Sequence, residues 1–206
     1  MEPVASQLSW CKSEFRVKSP KNILKVTENI PDCPPVSVMS LHLQTVLNER
    51  EKCNEIVMIS ALCHSDVNIE GQTERPESKF SLFTAVRKLE GQAWPADFNQ
   101  KVEEVNKKNS YASKLVMPNE RALLNFFLAK LHTIDPDFIV GHNFLGFDLD
   151  VLLHRMQRSK IPHWSKLGRL RRTVMPKLQV CAQIREFISV SSNMYMHSHS
   201  LSTYIR

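Results

Sequence analysis

The sequence predicts an α/β domain with a central mixed sheet flanked by helices. Its 206 residues are enough for one domain with a sizeable core, and the apolar fraction of 42% and charged fraction of 23% are typical of globular chains. Two strand-like segments come first, and a helix, a strand and a second helix follow them. An antiparallel pair followed by this alternation is typical of an α/β domain whose strands run in both directions.

Apolar patterning predicts three strands in the first half of the chain. Alternating apolar residues over 36–45 predict the first strand, with an irregularity near Met39. The β-rich apolar run in 55–62 predicts the second strand, joined to the first as an antiparallel hairpin with a long loop. The polar residues 64–79 predict a surface loop, and a third strand is expected over 80–86.

Helical periodicity is clearest after Pro118. Asn119 is the predicted N-cap, and apolar residues then recur every three or four positions as far as Ile134. A buried strand over 137–141 and a second amphipathic helix over 147–159 follow. Two weaker predictions complete the set, namely a short helix at 99–108 and a short strand at 23–26.

Composition excludes several functional classes. The five glycines are scattered, which leaves no glycine-rich loop to hold a nucleotide phosphate. The five cysteines form no C-x-x-C pair, so we expect no zinc site and a reduced, intracellular environment. The N-terminus shows no basic start followed by an apolar run, and no long apolar segment occurs, which argues against secretion and against a membrane-spanning segment.

Positive charge is concentrated near the C-terminus. The net charge is +6, but residues 151–206 hold ten basic residues and one acidic residue, whereas residues 1–150 hold 17 basic and 20 acidic ones. Such asymmetry favours contact with a polyanion such as DNA, although a solvated charge run would look the same. The predicted DNA-binding residues are Lys160, Trp164, Lys166, Arg169, Arg171, Arg172 and Lys177.

A purely structural interpretation of this basic segment also stands. Trp164, Leu167 and Leu170 would anchor the segment to the domain, while its basic side chains face water. Anchoring and phosphate contact are compatible, so both expectations are kept.

Two places in the chain are candidates for chemistry. The first is Asn143, Phe147 and Asp148, because polar groups after a buried strand lie at the edge where α/β sheets hold their sites. The alternative is that Asp148 caps a helix and Asn143 closes a turn. The second is His42 and Gln44, which share one face of the first strand. A two-metal nuclease would need carboxylates there, and a lone histidine on a strand is more often structural.

Three motifs carry a resemblance to a known family. They are C-P-P-V-S-V-M-S-L at 33–41, F-L-A-K-L-H-T-I-D-P-D-F-I-V-G-H-N at 127–143, and P-H-W-S-K-L-G-R-L at 162–170. Together they resemble the exonuclease-like domain of the family B DNA polymerases, and the third is most similar to the alpha branch. The resemblance implies a ribonuclease-H-like fold, incomplete at its C-terminal end, and fades after residue 178.

The resemblance also implies a degenerate exonuclease site. The family's Asp-x-Glu motif falls on His42 and Gln44, so both of its carboxylates are replaced. The Asn-x-x-x-Phe-Asp motif is intact at Asn143, Phe147 and Asp148, and no Tyr-x-x-x-Asp follows. We therefore expect no catalytic residues, no bound metal and no activity from this chain alone. The alternatives are an active metal-dependent 3′–5′ exonuclease and a free-standing nucleic-acid-binding module.

The same resemblance implies a context and a domain organisation. It implies a nuclear, DNA- and nucleotide-binding scaffold within a replicative DNA polymerase that extends primers on a DNA or RNA-primed template. Partners would be an accessory subunit and primase subunits, and the whole polymerase would use Mg²⁺. We expect a lead-in at 1–30, the exonuclease-like domain at 31–178 and a divergent, disordered tail at 179–206, in a fragment or truncated product of a longer chain.

Overall fold

A computed structural model describes residues 2–3, 7–23, 32–69, 80–109, 112–176 and 201–205. The elements within them are β1 (Glu2–Pro3), β2 (Phe15–Arg16), β3 (Val36–Asn48), β4 (Cys53–Val67), β5 (Phe80–Arg87), α1 (Phe98–Lys108), β6 (Ala112–Met117), α2 (Glu120–Ile134), β7 (Phe138–His142), α3 (Leu149–Arg158) and β8 (Leu201–Ile205). The main feature is a mixed sheet with strand order β6-β5-β4-β3-β7-β8, so the predicted α/β class is confirmed.

The long hairpin of β3 and β4 forms the centre of the sheet. The predicted irregularity near Met39 is confirmed, because the register shifts between Val36 and Val38, while the fully buried Met39 itself pairs regularly with Cys63. The register shifts again between Gln44 and Thr45. At the second shift Gln44 pairs with Met58 and Thr45 with Ile56, so β4 contains one extra residue, which is a β-bulge.

The prediction was least accurate for the end of β4 and for β6. Strand β4 continues to Val67, where it pairs with Val36, so the loop predicted from residue 64 begins later than expected. Strand β6 was not predicted, and it pairs in parallel with β5 after the crossover through α1. Neither segment shows apolar alternation, and long-range pairing makes both of them strands.

A side chain covers part of the outer edge of β6. The amide of Asn106 on α1 donates to the carbonyl of Lys114 and accepts from the N–H of the same residue, both at 2.7 Å. Asn106 therefore satisfies both outward-facing backbone groups of Lys114, as a neighbouring strand would do. Unpaired edge groups invite pairing with another chain, so this contact protects the edge.

Helices α2 and α3 cover one face of the sheet and form the core with it. Asn119 caps α2 as predicted, its side chain accepting from the N–H of Ala122 at 2.8 Å. The helix ends at Asp135, which has a φ of +51°. The largest fully buried side chains are Phe127, Phe144, Met39, Ile56, Ile59, Leu123, Leu124, Leu131, Ile139, Leu152, Met156 and Pro136.

The two ends of the chain extend this body. Residues 7–23 include a segment that contacts the basic loop after α3, and most of the strand predicted at 23–26 lies outside the described residues. Within the predicted tail, Leu201–Ile205 form β8, which pairs antiparallel with β7. The boundaries 1–30, 31–178 and 179–206 stay predictions. In the described ranges no helix is both long and apolar enough to cross a membrane.

Candidate functional site

His42 and Gln44 lie side by side on the open face of β3. Leu41 and Leu43 are buried against the helices, whereas His42 and Gln44 are exposed, so the predicted shared face is confirmed. The β-bulge of β4 lies directly opposite Gln44 and Thr45. Bulges often occur next to active sites, where they change the direction of a side chain. The bulge is thus a backbone feature that is common beside active sites, whereas the two side chains are an imidazole and an amide and not carboxylates.

A second histidine joins this face from the neighbouring strand. Strand β7 runs parallel to β3, with Ser40 paired to Val140, and two residues further along the two strands reach His42 and His142. Both histidines are exposed, and they lie on the same face because side chains alternate along a strand. His142 was not predicted as a site residue. The available signal was its position at the carboxyl end of a buried strand.

Asp148 faces the two histidines from a turn of π-helix. After β7 the chain passes through Asn143, with a φ of +51°, and then through the π-helix Phe144–Asp148, where the Leu149 N–H bonds to the carbonyl of Phe144. Single π-helical turns are rare and are frequently found at functional sites. Asp148 is only 7% exposed, and its side chain makes no capping hydrogen bond to α3, so the capping alternative is wrong.

Burial sets the protonation of Asp148. Desolvation raises its pKa from 3.8 to about 6, and the positive charges of His42 and His142 oppose this rise without cancelling it. A carboxylate held by ion pairs normally has a lowered pKa. The raised pKa therefore describes an acid whose burial is not compensated by charged partners, and it loses its proton at a higher pH than an exposed aspartate does.

Asn143 and Phe147 hold the turn in place. Phe147 donates its N–H to the carbonyl of Asn143 at 2.9 Å, and its side chain packs against the hydrophobic core. A Cβ at position 146 would lie 2.3 Å from Oδ1 of Asn143, so any residue other than glycine there would displace the Asn143 side chain. The intact Asn-x-x-x-Phe-Asp motif thus has a structural basis in this chain.

The donor set fits two magnesium ions poorly. His42, Gln44, His142 and Asp148 together provide one carboxylate, and that carboxylate has a raised pKa. Two divalent ions a few ångströms apart need several hard, anionic oxygens. Among the residues that the structure describes, no group of three His, Cys, Asp or Glu side chains is close enough to hold a metal ion.

The predicted DNA-binding segment is firmly attached to the domain. Trp164 packs against the core and Leu167 is buried, as the anchoring interpretation expected, but Leu170 is 56% exposed and does not anchor. Arg169 forms ion pairs with Asp137 at 2.8 Å and Asp135 at 3.4 Å. These pairs raise the pKa of Arg169 and fix its guanidinium against the end of α2.

The other predicted contacts differ in their surroundings. Lys166 and Arg171 both lie against the indole ring of Trp10. Lys160 and Arg172 are exposed, and within the described ranges neither side chain forms an ion pair. Lys177 lies outside the described residues.

A buried ion network behind the bulge was not foreseen. Arg155 donates from Nε to both carboxylate oxygens of Glu120, at 2.9 and 3.0 Å. Glu120 accepts the N–H of Ile56 at 2.8 Å, and Arg87 donates to the carbonyl of Ile56 at 2.7 Å and to Glu55 at 2.6 Å. The bulge therefore has its backbone groups satisfied by side chains. No local pattern in the sequence indicates that Glu120 is the partner of Arg155.

Comparison with known proteins assigns this architecture. Residues 1–198 match the family model of the DNA polymerase family B exonuclease domain. The chain is similar to the DNA polymerase alpha catalytic subunits of Xenopus laevis (45% identity over 171 residues), Oryza sativa subsp. japonica (42% over 183) and Mus musculus (40% over 172). These matches cover 83–85% of the chain and only 11–12% of the length of each relative.

Proposed function

Because the chain belongs to the family B DNA polymerases, as the exonuclease domain of their alpha branch, we propose that it is a catalytically silent exonuclease-like scaffold that contacts nucleic acid. One observation carries the proposal. The two strand positions where the family places metal-binding carboxylates hold His42 and Gln44, both exposed, and His42 lies near Asp148.

The chemistry of this site supports the proposed lack of exonuclease activity. Hydrolysis by two metals requires ions that hold the attacking and leaving oxygens in line, and that demands several carboxylates. Here Asp148 provides the one carboxylate beside His42, Gln44 and His142 among the described residues, so the site lacks the anionic oxygens that two divalent ions need. Substitution at His42 and Gln44 removes the ligands while the supporting turn at Asn143 and Gly146 is kept.

Nucleic-acid contact is proposed for the basic segment after α3. The cations there are exposed or half-buried on a surface that is anchored by Trp164 and Leu167. Phosphates are attracted to such surfaces, and the attraction weakens steeply as salt is added. Arg169 is held by two aspartates, so the proposal relies on Lys160, Lys166, Arg171 and Arg172 for phosphate contact.

The wider role follows from the family. We propose that the chain corresponds to part of a nuclear replicative polymerase that extends primers on a DNA or RNA-primed template, together with an accessory subunit and primase. In that setting Mg²⁺ would serve the polymerase reaction, and the residues proposed here for the exonuclease-like site would take no part in that reaction.

Metal binding tests the silent site directly. Titration of the chain with Mn²⁺, followed by electron paramagnetic resonance, should detect no ion bound at micromolar affinity. The double substitution His42→Asp and Gln44→Glu, which raises the number of carboxylates at the site from one to three, should increase Mn²⁺ affinity. Two tightly bound ions in the unsubstituted chain, lost in Asp148→Ala, would contradict the proposal.

Binding of labelled single-stranded DNA tests the second part. Affinity should fall linearly on a logarithmic scale with salt, and each phosphate contact removed should lower the slope by about 0.7. Arg172→Ala should weaken binding, whereas Arg121→Ala, on the exposed side of α2, should not. Equal effects of the two substitutions would mean that the attraction is non-specific.

A further inference from the structure

We propose that Trp10 is a positioning residue for nucleic-acid contact, because it holds Lys166 and Arg171 together at the surface of the basic segment. The inference rests on the nucleic-acid contact proposed above and adds the N-terminal segment to it. None of the predicted DNA-binding residues lies before residue 160, and Trp10 lies some 150 positions away along the chain.

The backbone docks Trp10 onto the basic segment. Ser9 forms an antiparallel β-bridge with Leu170, the N–H of Trp10 donates to the carbonyl of Arg169 at 2.7 Å, and the N–H of Arg171 donates to the carbonyl of Leu8 at 2.9 Å. A short strand-like contact thus fixes the register between the two segments. The side chain of residue 10 has one defined position relative to residues 163–171.

The indole ring is held at its edge as well. Its Nε1 donates to the hydroxyl of Ser165 at 3.2 Å, and Ser165 is buried with 4% of its surface exposed. The ring of His163 meets the indole at 80°, with the centroids 5.3 Å apart. These contacts orient the ring, so its faces are available for cations in a defined direction.

Two cationic side chains contact the indole ring of Trp10. Nζ of Lys166 lies 5.0 Å from the ring centroid and Cζ of Arg171 lies 4.6 Å from it, both within the range of cation–π attraction. Trp is the strongest aromatic partner for such contacts. Two like charges near one ring repel each other, and the negative faces of the indole offset that repulsion.

Arg171 keeps donors for a ligand. Its Nε donates to the carbonyl of Ser9 at 2.7 Å and its Nη2 to Oε1 of Gln7 at 3.0 Å. These bonds use two of the five N–H donors of a guanidinium, and the side chain stays exposed. A cation whose position is already fixed loses less conformational entropy when a phosphate binds.

Arg172 provides the matched control. It follows Arg171 directly and is exposed, but it makes no contact with the Trp10 ring. Removal of Trp10 should therefore change the contribution of Arg171 to DNA binding and leave the contribution of Arg172 unchanged.

The test measures binding of a fluorescent single-stranded oligonucleotide to the whole chain over a range of salt. Trp10→Phe keeps an aromatic face and should bind nearly as well as the unsubstituted chain. Trp10→Leu keeps apolar bulk without that face and should weaken binding about fivefold, as expected for two cation–π contacts. Thermal unfolding of both variants should be measured to check that each one is folded.

A double-substitution cycle separates positioning from general damage. In the Arg171→Ala background, Trp10→Leu should cost much less than fivefold, whereas in the Arg172→Ala background it should cost its full amount. Equal costs in both backgrounds, or full binding by Trp10→Leu, would overturn the role of Trp10 alone. Absence of salt-dependent binding by the unsubstituted chain would overturn the proposed nucleic-acid contact and this role with it.

Discussion

Replacement of Asp148 by Asn should stabilise the folded chain at pH 8, and the gain should shrink as the pH falls through 6 toward 4. Asp148 is buried, and its pKa rises from 3.8 to about 6 on folding. The folded state therefore holds this proton more tightly than the unfolded state does. The folded state therefore loses stability as the pH rises from 3.8 to about 6, and the full cost of the buried charge of Asp148 is present above that range.

The magnitude follows from the shift. One pKa unit corresponds to about 1.36 kcal/mol, so the rise of Asp148 sets an upper limit of roughly 3 kcal/mol on the penalty. Solvent at the mouth of the site lowers this, and we expect Asp148→Asn to gain about 1 to 2 kcal/mol at pH 8. For a chain of this size that corresponds to an increase in Tm of roughly 2 to 8 °C.

The assay is thermal and urea unfolding of both proteins at pH 8, 7, 6, 5 and 4. The control is Glu90→Gln, which removes an exposed carboxylate from a loop. It should change the free energy of unfolding only slightly, and by the same amount at every pH. A variant that is less stable than the unsubstituted chain at pH 8 would refute the reasoning. A gain that stays constant from pH 8 to pH 4 would refute it too, because the cause would then not be ionisation.

Three further substitutions test the structure around the site. Glu120→Gln breaks the buried pair with Arg155 and should lower the free energy of unfolding by about 3 kcal/mol, measured by urea titration. Asn106→Ala opens the edge of β6 and should cause concentration-dependent association in light scattering, which Gln100→Ala on the same helix should not. Gly146→Ala places a Cβ against Asn143 and should cost about 1 to 3 kcal/mol by the same titration; unchanged stability would contradict the close contact.

Patterning along the chain was sufficient for the central elements. Alternation of apolar residues in β3 placed His42 and Gln44 on one face, and the N-cap and periodicity of α2 were found from Asn119 onward. These features depend on neighbours in sequence, which is why they could be predicted. Strand β6 depends on pairing with β5, and its residues 112–117 carry no such pattern.

The parts of the site that were missed depend on contacts between distant residues. His142 becomes a site residue only because β7 lies parallel to β3. Arg155 lies in the last turn of α3, and its ion-pair partner Glu120 is 35 positions away along the chain. Trp10 lies next to Lys166 and Arg171 because a β-bridge joins Ser9 to Leu170, which are far apart in the sequence. No local pattern encodes these partners, and only the fold brings them together.

Digestion of 3′-labelled single-stranded DNA by the purified chain tests the central claim most directly. With Mg²⁺ or Mn²⁺, the rate of mononucleotide release should equal that of Asp148→Ala, because the one carboxylate beside His42, Gln44 and His142 does not hold two catalytic ions. Metal-dependent release from the 3′ end that disappears in Asp148→Ala would contradict the account and make this chain an active exonuclease.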